Sequence, residues 1–474
     1  MIPISAAQIS EILSSPTISG NPDTVAESVT IDSRTAGDGD CFFAIIGERL
    51  DGHEFVDQAL AAGASIVVVE RPVETKGSVG GADPAIIQVE DTTEALQVLG
   101  GWLRQQLDPT VVGITGSLGK TTTKDLTAAL LRIRYDVHAT PGNLNNHWGL
   151  PLSLLGLEAH HQVMVAEMAM SRATEIGALA RLADPSVGVI TNVAPAHMEN
   201  FADLDAVAAA KGELAQELPA SGTLIVNADD PRTDAIPKKL APHVTDVVRF
   251  GCGAAADVRA TDLTQDSGGW TLNLHIGSAS RSIDLRLAGA PGVSCFLAAA
   301  ATAHALEISI DEIATGAAKL ELLPDRGAIR RTDGITLMDE SYNASPLAML
   351  AALETLATLP ADGRRIAVLG DMLEMGDWTD RVHREAGRKA AEIDVGLLVT
   401  VGAYAELIAE GAAATGMTRE AIHAFSTAEE AASWLAPRLL HGDTVLVKGS
   451  RAVHLERVVQ AVTEAAVPNG VVEG

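Results

Sequence analysis

The chain has 474 residues, 47% hydrophobic and 20% charged, a globular composition too long for one core, so two to four domains are expected. Against 34 Lys and Arg stand 62 Asp and Glu, a formal net charge of −28, which argues against nucleic acid or an anionic membrane surface as partner. No apolar run reaches the roughly 18 residues of a membrane span, Met1 to Gly20 lack a basic start followed by an apolar stretch, and Cys41, Cys252 and Cys295 lie far apart, so no membrane insertion and a reducing, cytoplasmic setting are expected.

Residues 1–108 read as a small α/β domain. Strands are predicted at 29–31, 41–44, 65–69 and 86–89, helices at 55–62 and 92–106, and a loop at 77–83. Asp108-Pro109 sets the first boundary. Val111, Val112 and Ile114 then form a short buried strand, followed by Thr115-Gly116-Ser117-Leu118-Gly119-Lys120-Thr121-Thr122 and a helix running to Arg134. Strand, glycine loop, Lys-Thr and helix form the context of a phosphate loop. The glycines let backbone N–H groups turn onto phosphate oxygens, and the helix N-terminus adds partial positive charge. Lys120 would reach the terminal phosphates and the Thr121 hydroxyl would take a place on Mg2+.

Strands and helices continue to alternate, which predicts a doubly wound, mostly parallel central sheet. Strand 163–166 ends on Glu167; helix 171–182 follows; strand 187–191 leads to Asn192 and His197; helix 204–218 carries Lys211; strand 223–226 comes next. A hairpin at 270–276 and 281–287 and an Ala-rich helix at 293–306 complete the unit. Pro324-Asp325-Arg326-Gly327 marks the second boundary. Residues 328–474 read as a Rossmann-like α/β domain with strands at 366–369, 397–401 and 444–447, and helices at 382–391, 405–414, 428–435 and from about 451. This domain has no phosphate loop of its own, which points to a binding role.

The phosphate loop, Glu167-Met168, Thr191-Asn192-Val193, Ala196-His197 and Ala210-Lys211 follow one another as they do in the Mur ligase family, the ATP-dependent amide-forming enzymes of peptidoglycan precursor synthesis. The chain resembles that family from Asp32 to Arg451, and the family's loop has the same short glycine spacing. Residues 140–146 (TPGNLNN), 339–346 (DESYNASP), 368–376 (VLGDMLEMG) with His383, and 447–451 (VKGSR) are most similar to the branch that adds D-alanyl-D-alanine to UDP-N-acetylmuramoyl-tripeptide. Asp32-Ser33-Arg34 and Asp51-Gly52-His53-Glu54-Phe55 resemble the uridine-nucleotide domain of the late ligases, and the DNPR tetrapeptide of the preceding ligase is absent.

The resemblance implies three domains: 1–108 for the UDP-sugar, 109–327 for ATP, and 328–474 for the incoming dipeptide, closing on ATP. It implies Lys120, Lys211, His197 and Glu167 as catalytic groups. Nucleotide contacts are expected from Thr115, Gly116, Ser117, Leu118, Gly119, Lys120, Thr121, Thr122, Arg326 and Asp339. Substrate contacts are expected from Ser33, Arg34, Gly47, Asp51, His53, Asn143, Asn145, Asn146, Tyr342 and Asn343. Two Mg2+ ions would sit among Thr121, Glu167, His197 and Lys211, the last as a carbamate. A monomer acting through an acyl phosphate is expected.

The sequence departs from the family pattern in three places. Gly289-Ala290-Pro291-Gly292-Val293-Ser294-Cys295-Phe296 stands where the family's adenine segment, G-x-H-N-x-x-N-A, is expected, without its His or either Asn. Glu340 replaces the second Asp of DDSYNANP, and His147-Trp148 stands where an acid and an aliphatic residue are usual. Two other readings compete. A catalytically weakened relative with a binding or regulatory role is motivated by the adenine segment and opposed by Lys120, Glu167, His197 and Lys211. A sibling amide ligase of the folylpolyglutamate type is opposed by the N-terminal uridine-nucleotide segments.

Overall fold

The computed structural model describes all residues except 16–17, 74–83, 267–268, 288, 321–328, 333, 360–361 and 466–474. The loop expected at 77–83, the boundary at 324–327 and Arg326 therefore lie outside the described residues.

Successive stretches of the chain build three main sheets. The first has five strands in the order Ile18–Ser19, Ala85–Gln88, Ile66–Val69, Asp40–Phe43 and Ser28–Thr30, parallel apart from the first pair. Side chains alternate across a strand, so Cys41 and Phe43 enter one core with Ile66, Leu96 and Leu99, while Phe42 and Ala44 enter another with Val56 and Leu60. Both faces are covered, which is why these strands read as unbroken apolar runs. Helix Thr92–Leu107 is capped by Asp91 and ends at Asp108 in left-handed conformation, just before Pro109 and the next sheet.

The second sheet has nine strands, Thr110–Thr115 lying between Val163–Glu167 and Val187–Ile190. It is parallel from Val137–Ala139 across to Val258–Asp266 and ends in antiparallel strands Gly269–Ile276 and Ala279–Leu285. The expected hairpin is present, and Val258–Asp266 adds a third long strand beside it. The register of that strand shifts between Thr261 and Thr264, where Asp262 has positive φ, which breaks the period-two pattern a sequence reader looks for. The helix expected from Ser171 starts at Glu175, because the Glu175 carboxylate accepts from the N–H groups of Ser171 and Arg172 and holds them as a turn. The Ala-rich helix starts earlier than expected, at Gly289, since Pro291 is tolerated in a first turn.

The third sheet has six strands, in the order Ile329–Thr332, Ile335–Glu340, Thr444–Lys448, Arg365–Gly370, Leu397–Val401 and Ile422–Phe425, parallel beyond the first pair. Helices Pro346–Thr358, Thr379–Glu392 and Ala405–Ala414 contribute to the core on one face; Ala428–Leu435 and Glu456–Glu464 contribute to the core on the other. The last helix does not start at Arg451: Arg451–Val453 is a single tight turn and His454 has positive φ before Glu456.

An unpredicted helix, Gly149–Leu155, joins the first two sheets. Its Leu155 enters the N-terminal core, and a Cβ at Gly100 would come within 3.0 Å of the Pro151 carbonyl. Trp148, one of the departures from the family pattern, donates its indole N–H to Thr93 at 3.0 Å. The Gln97 amide donates to the His147 carbonyl at 3.0 Å. These contacts carry the N-terminal sheet on the central one.

Candidate active site

Ligands of parallel α/β sheets bind beyond the carboxyl ends of the strands. Here the carboxyl ends of the second and third sheets face one another across one cleft of about 920 Å³. The central sheet supplies Ser117 to Thr122, Asn143, Asn145, Asn146, Glu167 and His197. The C-terminal sheet supplies Glu340, Tyr342, Asn343, Glu374, Lys448 and Arg451.

The phosphate loop is held from behind by the segment after strand Val187–Ile190. Asn192 accepts from the Leu118 N–H and donates to the Leu118 carbonyl, both at 2.9 Å, and the Thr191 hydroxyl donates to that carbonyl at 2.7 Å. Asp230 in turn accepts from the Val193 N–H at 2.6 Å. Gly116 is required because it has positive φ and a Cβ there would fall 1.8 Å from the Thr191 hydroxyl oxygen. Helix Lys120–Leu131 begins directly at the loop's lysine, so its open N-terminus faces the cleft. Lys120 Nζ donates to the Gly116 carbonyl at 2.9 Å.

One helical turn on from Lys120, Lys124 is buried and donates to the carbonyls of Thr140 at 2.8 Å and Gly142 at 3.3 Å. It ties the phosphate-loop helix to the segment that brings Asn143, Asn145 and Asn146 into the cleft. Sequence reading missed this residue; its signal was a second lysine four positions after the loop lysine on the same helix face.

Glu167 is buried, and its Oε1 accepts from the Asn145 amide at 2.7 Å. Its Oε2 is buried with no hydrogen-bond partner among the described residues. An unpartnered buried carboxylate oxygen facing a phosphate loop fits a cation. Among the described residues no three His, Cys, Asp or Glu side chains converge as a metal cage.

Lys211 is buried and does not line the cleft. Burial first, and then the charge of Lys120, push its amine well below the usual lysine range. His197 has positive φ and shares its Nδ1 with a Glu374 carboxylate oxygen across the cleft. Glu374 rides on a tightly pinned loop: Asp371 accepts from the Ala403 and Tyr404 N–H groups, and Ser450 Oγ accepts from the Leu373 N–H. From helix Thr379–Glu392, buried His383 accepts from the Met372 N–H of that loop at Nε2, while its Nδ1 lies 2.6 Å from the Thr379 carbonyl. Burial pushes that imidazole below its ordinary range, in keeping with a neutral strut.

The other expected residues divide. Thr115 and Gly116 form the strand end and the back of the loop and do not line the cleft. Asp339 does not line it either: its carboxylate accepts from the Ser341 N–H at 3.1 Å and hydroxyl at 2.7 Å, shaping the turn that presents Tyr342. Ser33, Arg34, Gly47, Asp51 and His53 are not brought into the cleft. Asp51 accepts from His53 and Arg71, bonds that overcome burial and hold its carboxyl at about 2; His53 also accepts from the Glu70 N–H. Both residues therefore lock a loop of the first sheet. Arg34 pairs with Asp32 at 2.6 Å, and the Ser33 hydroxyl donates to Gln58 at 3.2 Å. Gly47 forms the link toward the cleft, since a Cβ there would lie 3.7 Å from the Trp148 ring, beside Asn146.

Pro291, Gly292 and Cys295, from the stretch where the adenine segment is expected, line a wall next to the phosphate loop; sequence reading missed its other side, Ala348, Ala351, Ala352 and Thr355 from helix Pro346–Thr358. Cys295 Sγ lies 3.6 Å from the Gly119 carbonyl, which fixes this wall against the loop. The wall offers small surfaces to a flat base, and the Thr355 hydroxyl is already donated to the Ala351 carbonyl at 2.9 Å.

Comparison with known proteins agrees with this geometry. The descriptions "Mur ligase family, catalytic domain", "Mur ligase middle domain" and "Mur ligase, glutamate ligase domain" match residues 26–101, 114–303 and 326–451. The chain belongs to the Mur ligase family, whose members join an acid to an amine at the expense of ATP. UDP-N-acetylmuramoyl-tripeptide–D-alanyl-D-alanine ligase of Bacillus subtilis is 33% identical over 93% of this chain and 94% of its own. The enzyme of that name from Escherichia coli is 34% identical over 98% and 99%. Among solved structures, MurF from Acinetobacter baumannii superimposes with a TM-score of 0.86 at 31% identity, covering 98% of this chain and 99% of that one. MurF ligase from Thermotoga maritima in complex with ADP gives 0.78 at 30% identity, covering 92% and 97%. Folylpolyglutamate synthase of Mycobacterium tuberculosis shares the fold at 15% identity.

Proposed function

We propose that this chain is an ADP-forming ligase that joins D-alanyl-D-alanine to UDP-N-acetylmuramoyl-tripeptide in peptidoglycan precursor synthesis. One observation carries the reading: a phosphate loop and the loops of a second α/β sheet open into the same cleft, so a phosphorylated acid and an incoming amine can meet there. Relatives of that name match at 33–34% identity over 93–98% of the chain, whereas the folylpolyglutamate likeness is one of fold. The weakened-relative reading is not favoured either, since Lys120, Glu167 and His197 all face the cleft.

In this reaction a carboxylate oxygen of the tripeptide attacks the γ-phosphorus and the bond to the β-phosphate oxygen breaks, releasing ADP. The dipeptide amine then attacks the acyl carbon, loses a proton, and phosphate leaves with the oxygen it gained. Lys120 and the helix N-terminus behind it offset charge on the phosphates. The two facing sheets shield the acyl phosphate from water. Mg2+ would be held by Glu167 and Thr121, where it would neutralise phosphate charge. A second ion would take His197, through Nε2 because Nδ1 is engaged by Glu374, and a carbamate on Lys211. Burial supports that carbamate: it favours the neutral amine whose lone pair attacks CO2, and Lys120 nearby favours the anion formed when the nitrogen loses its proton.

The residue roles and the division into 1–108, 109–327 and 328–474 are part of this proposal, supported by one main sheet falling within each span. We take the enzyme to work as a cytoplasmic monomer, serving cell-wall growth and division, since its nucleotide-linked substrates and three free thiols suit that compartment. The described residues contain no helix long and apolar enough to cross a membrane. ADP release measured with each substrate omitted in turn tests the function. Release that requires both UDP-N-acetylmuramoyl-tripeptide and D-alanyl-D-alanine is expected; release indifferent to the dipeptide would contradict it.

A further inference from the structure

A dipeptide that attacks through its amine carries a carboxylate at its far end, and a protein of net charge −28 must meet that anion with a local cation. Among the described residues, three strong cations line the cleft. Lys120 belongs to the phosphate loop. Lys448 is buried and already occupied, by Glu340 at 2.9 Å and by the Asn343 carbonyl at 3.1 Å. Arg451 is exposed, and among the described residues no carboxylate oxygen lies within 4.0 Å of it. Glu456, the nearest acid along the chain, pairs with His454 at 3.0 Å.

Arg451 is also held in place. Its guanidinium carbon lies 5.8 Å from the centroid of the Tyr342 ring, within the range of a cation–π contact. The preceding Ser450 is fixed at both ends: its N–H donates to the Asp371 carbonyl at 2.9 Å, and its hydroxyl oxygen accepts from the Leu373 N–H at 3.0 Å. Tyr342 follows the turn closed by Asp339 on Ser341. Both residues sit just past the carboxyl ends of neighbouring parallel strands, where Glu340 and Lys448 are in register. The chain then leaves toward opposite faces of the sheet, to helix Pro346–Thr358 on one and Glu456–Glu464 on the other. Such a divergence opens a crevice suited to a ligand. A guanidinium offers a planar fork of donors that matches a carboxylate.

We propose that Arg451, stacked on Tyr342, binds the C-terminal carboxylate of the incoming dipeptide and restricts the enzyme to acceptors whose terminal carboxylate is free. The inference deepens the ligase reading above and rests on it.

The test compares D-alanyl-D-alanine with its C-terminal amide as acceptor, for wild type and for Arg451→Gln and Arg451→Lys, with ATP and the UDP-linked tripeptide varied separately. Loss of a charged hydrogen-bonding partner corresponds to about ten- to a hundredfold. Wild type should prefer the acid over the amide in kcat/KM by that factor. Arg451→Gln should raise KM for the dipeptide by a similar factor and reduce the preference to about threefold or less. KM for ATP and for the UDP substrate should stay within about twofold, and Arg451→Lys should recover part of the preference. A wild-type enzyme indifferent to the amide would overturn the proposal whatever the variants do. So would an Arg451→Gln enzyme that keeps the preference, or whose KM rises for ATP or the UDP substrate instead, since the cation would then serve another anion. Failure of the wild type to form product with D-alanyl-D-alanine is a different result, and it would remove the ligase reading itself.

Discussion

Lys120→Ala should fold like the wild type and lose at least about a hundredfold in turnover. The side chain is only half-buried, and its bond to the Gly116 carbonyl at 2.9 Å lies within the phosphate loop. The loop is held instead by Asn192, Thr191 and Asp230, none of which the substitution touches. What disappears is a positive charge beside the transferring phosphoryl group. Removing one preorganised electrostatic partner of a transition state typically costs about 2.7–4 kcal/mol. ADP formation under saturating substrates, with thermal unfolding as control, reads the effect. Near-normal turnover in a folded Lys120→Ala protein would remove the loop from the chemistry.

The second large effect is expected at Lys211. A buried ammonium close to Lys120 is doubly disfavoured, by desolvation and by like charge, whereas a carbamate in the same place is an anion next to a cation. Lys211→Ala should therefore be nearly inactive while remaining folded, because deleting a buried amine also removes its desolvation cost. Acetate or formate should restore part of the activity by supplying the missing oxygens. Carbon-13 NMR after equilibration with labelled bicarbonate should show a carbamate signal in the wild type that Lys211→Ala lacks. Wild-type activity in the variant, or no such signal in the wild type, would show that Lys211 works as an amine or not at all.

What could be read from the sequence was local. Gly116, Gly119, Lys120 and Thr121 fall within a few residues of one another, so strand, loop and helix announced themselves. The parallel strands were visible for the same reason, since burial on both faces leaves short apolar runs. The contacts that assemble the cleft join distant positions. Glu374 meets His197 across 177 residues, Cys295 meets the Gly119 carbonyl across 176, and Lys448 meets Glu340 across 108. No periodicity encodes such pairs. Asp51 and His53, expected as substrate contacts from the family resemblance, also bond to each other and to Glu70 and Arg71, pairings that no sequence pattern announces. Helix Pro346–Thr358 was missed because it packs against both the C-terminal core and helix Gly289–Ala305, leaving no clear polar face to set its period.

The central claim is that the cleft activates the tripeptide carboxylate as a phosphate anhydride and passes it to the dipeptide. The most direct measurement supplies the tripeptide with oxygen-18 in its terminal carboxylate and follows both products by mass spectrometry. The account predicts a UDP-linked pentapeptide and inorganic phosphate carrying one labelled oxygen from that carboxylate. Unlabelled phosphate, or ADP release without pentapeptide, would contradict it.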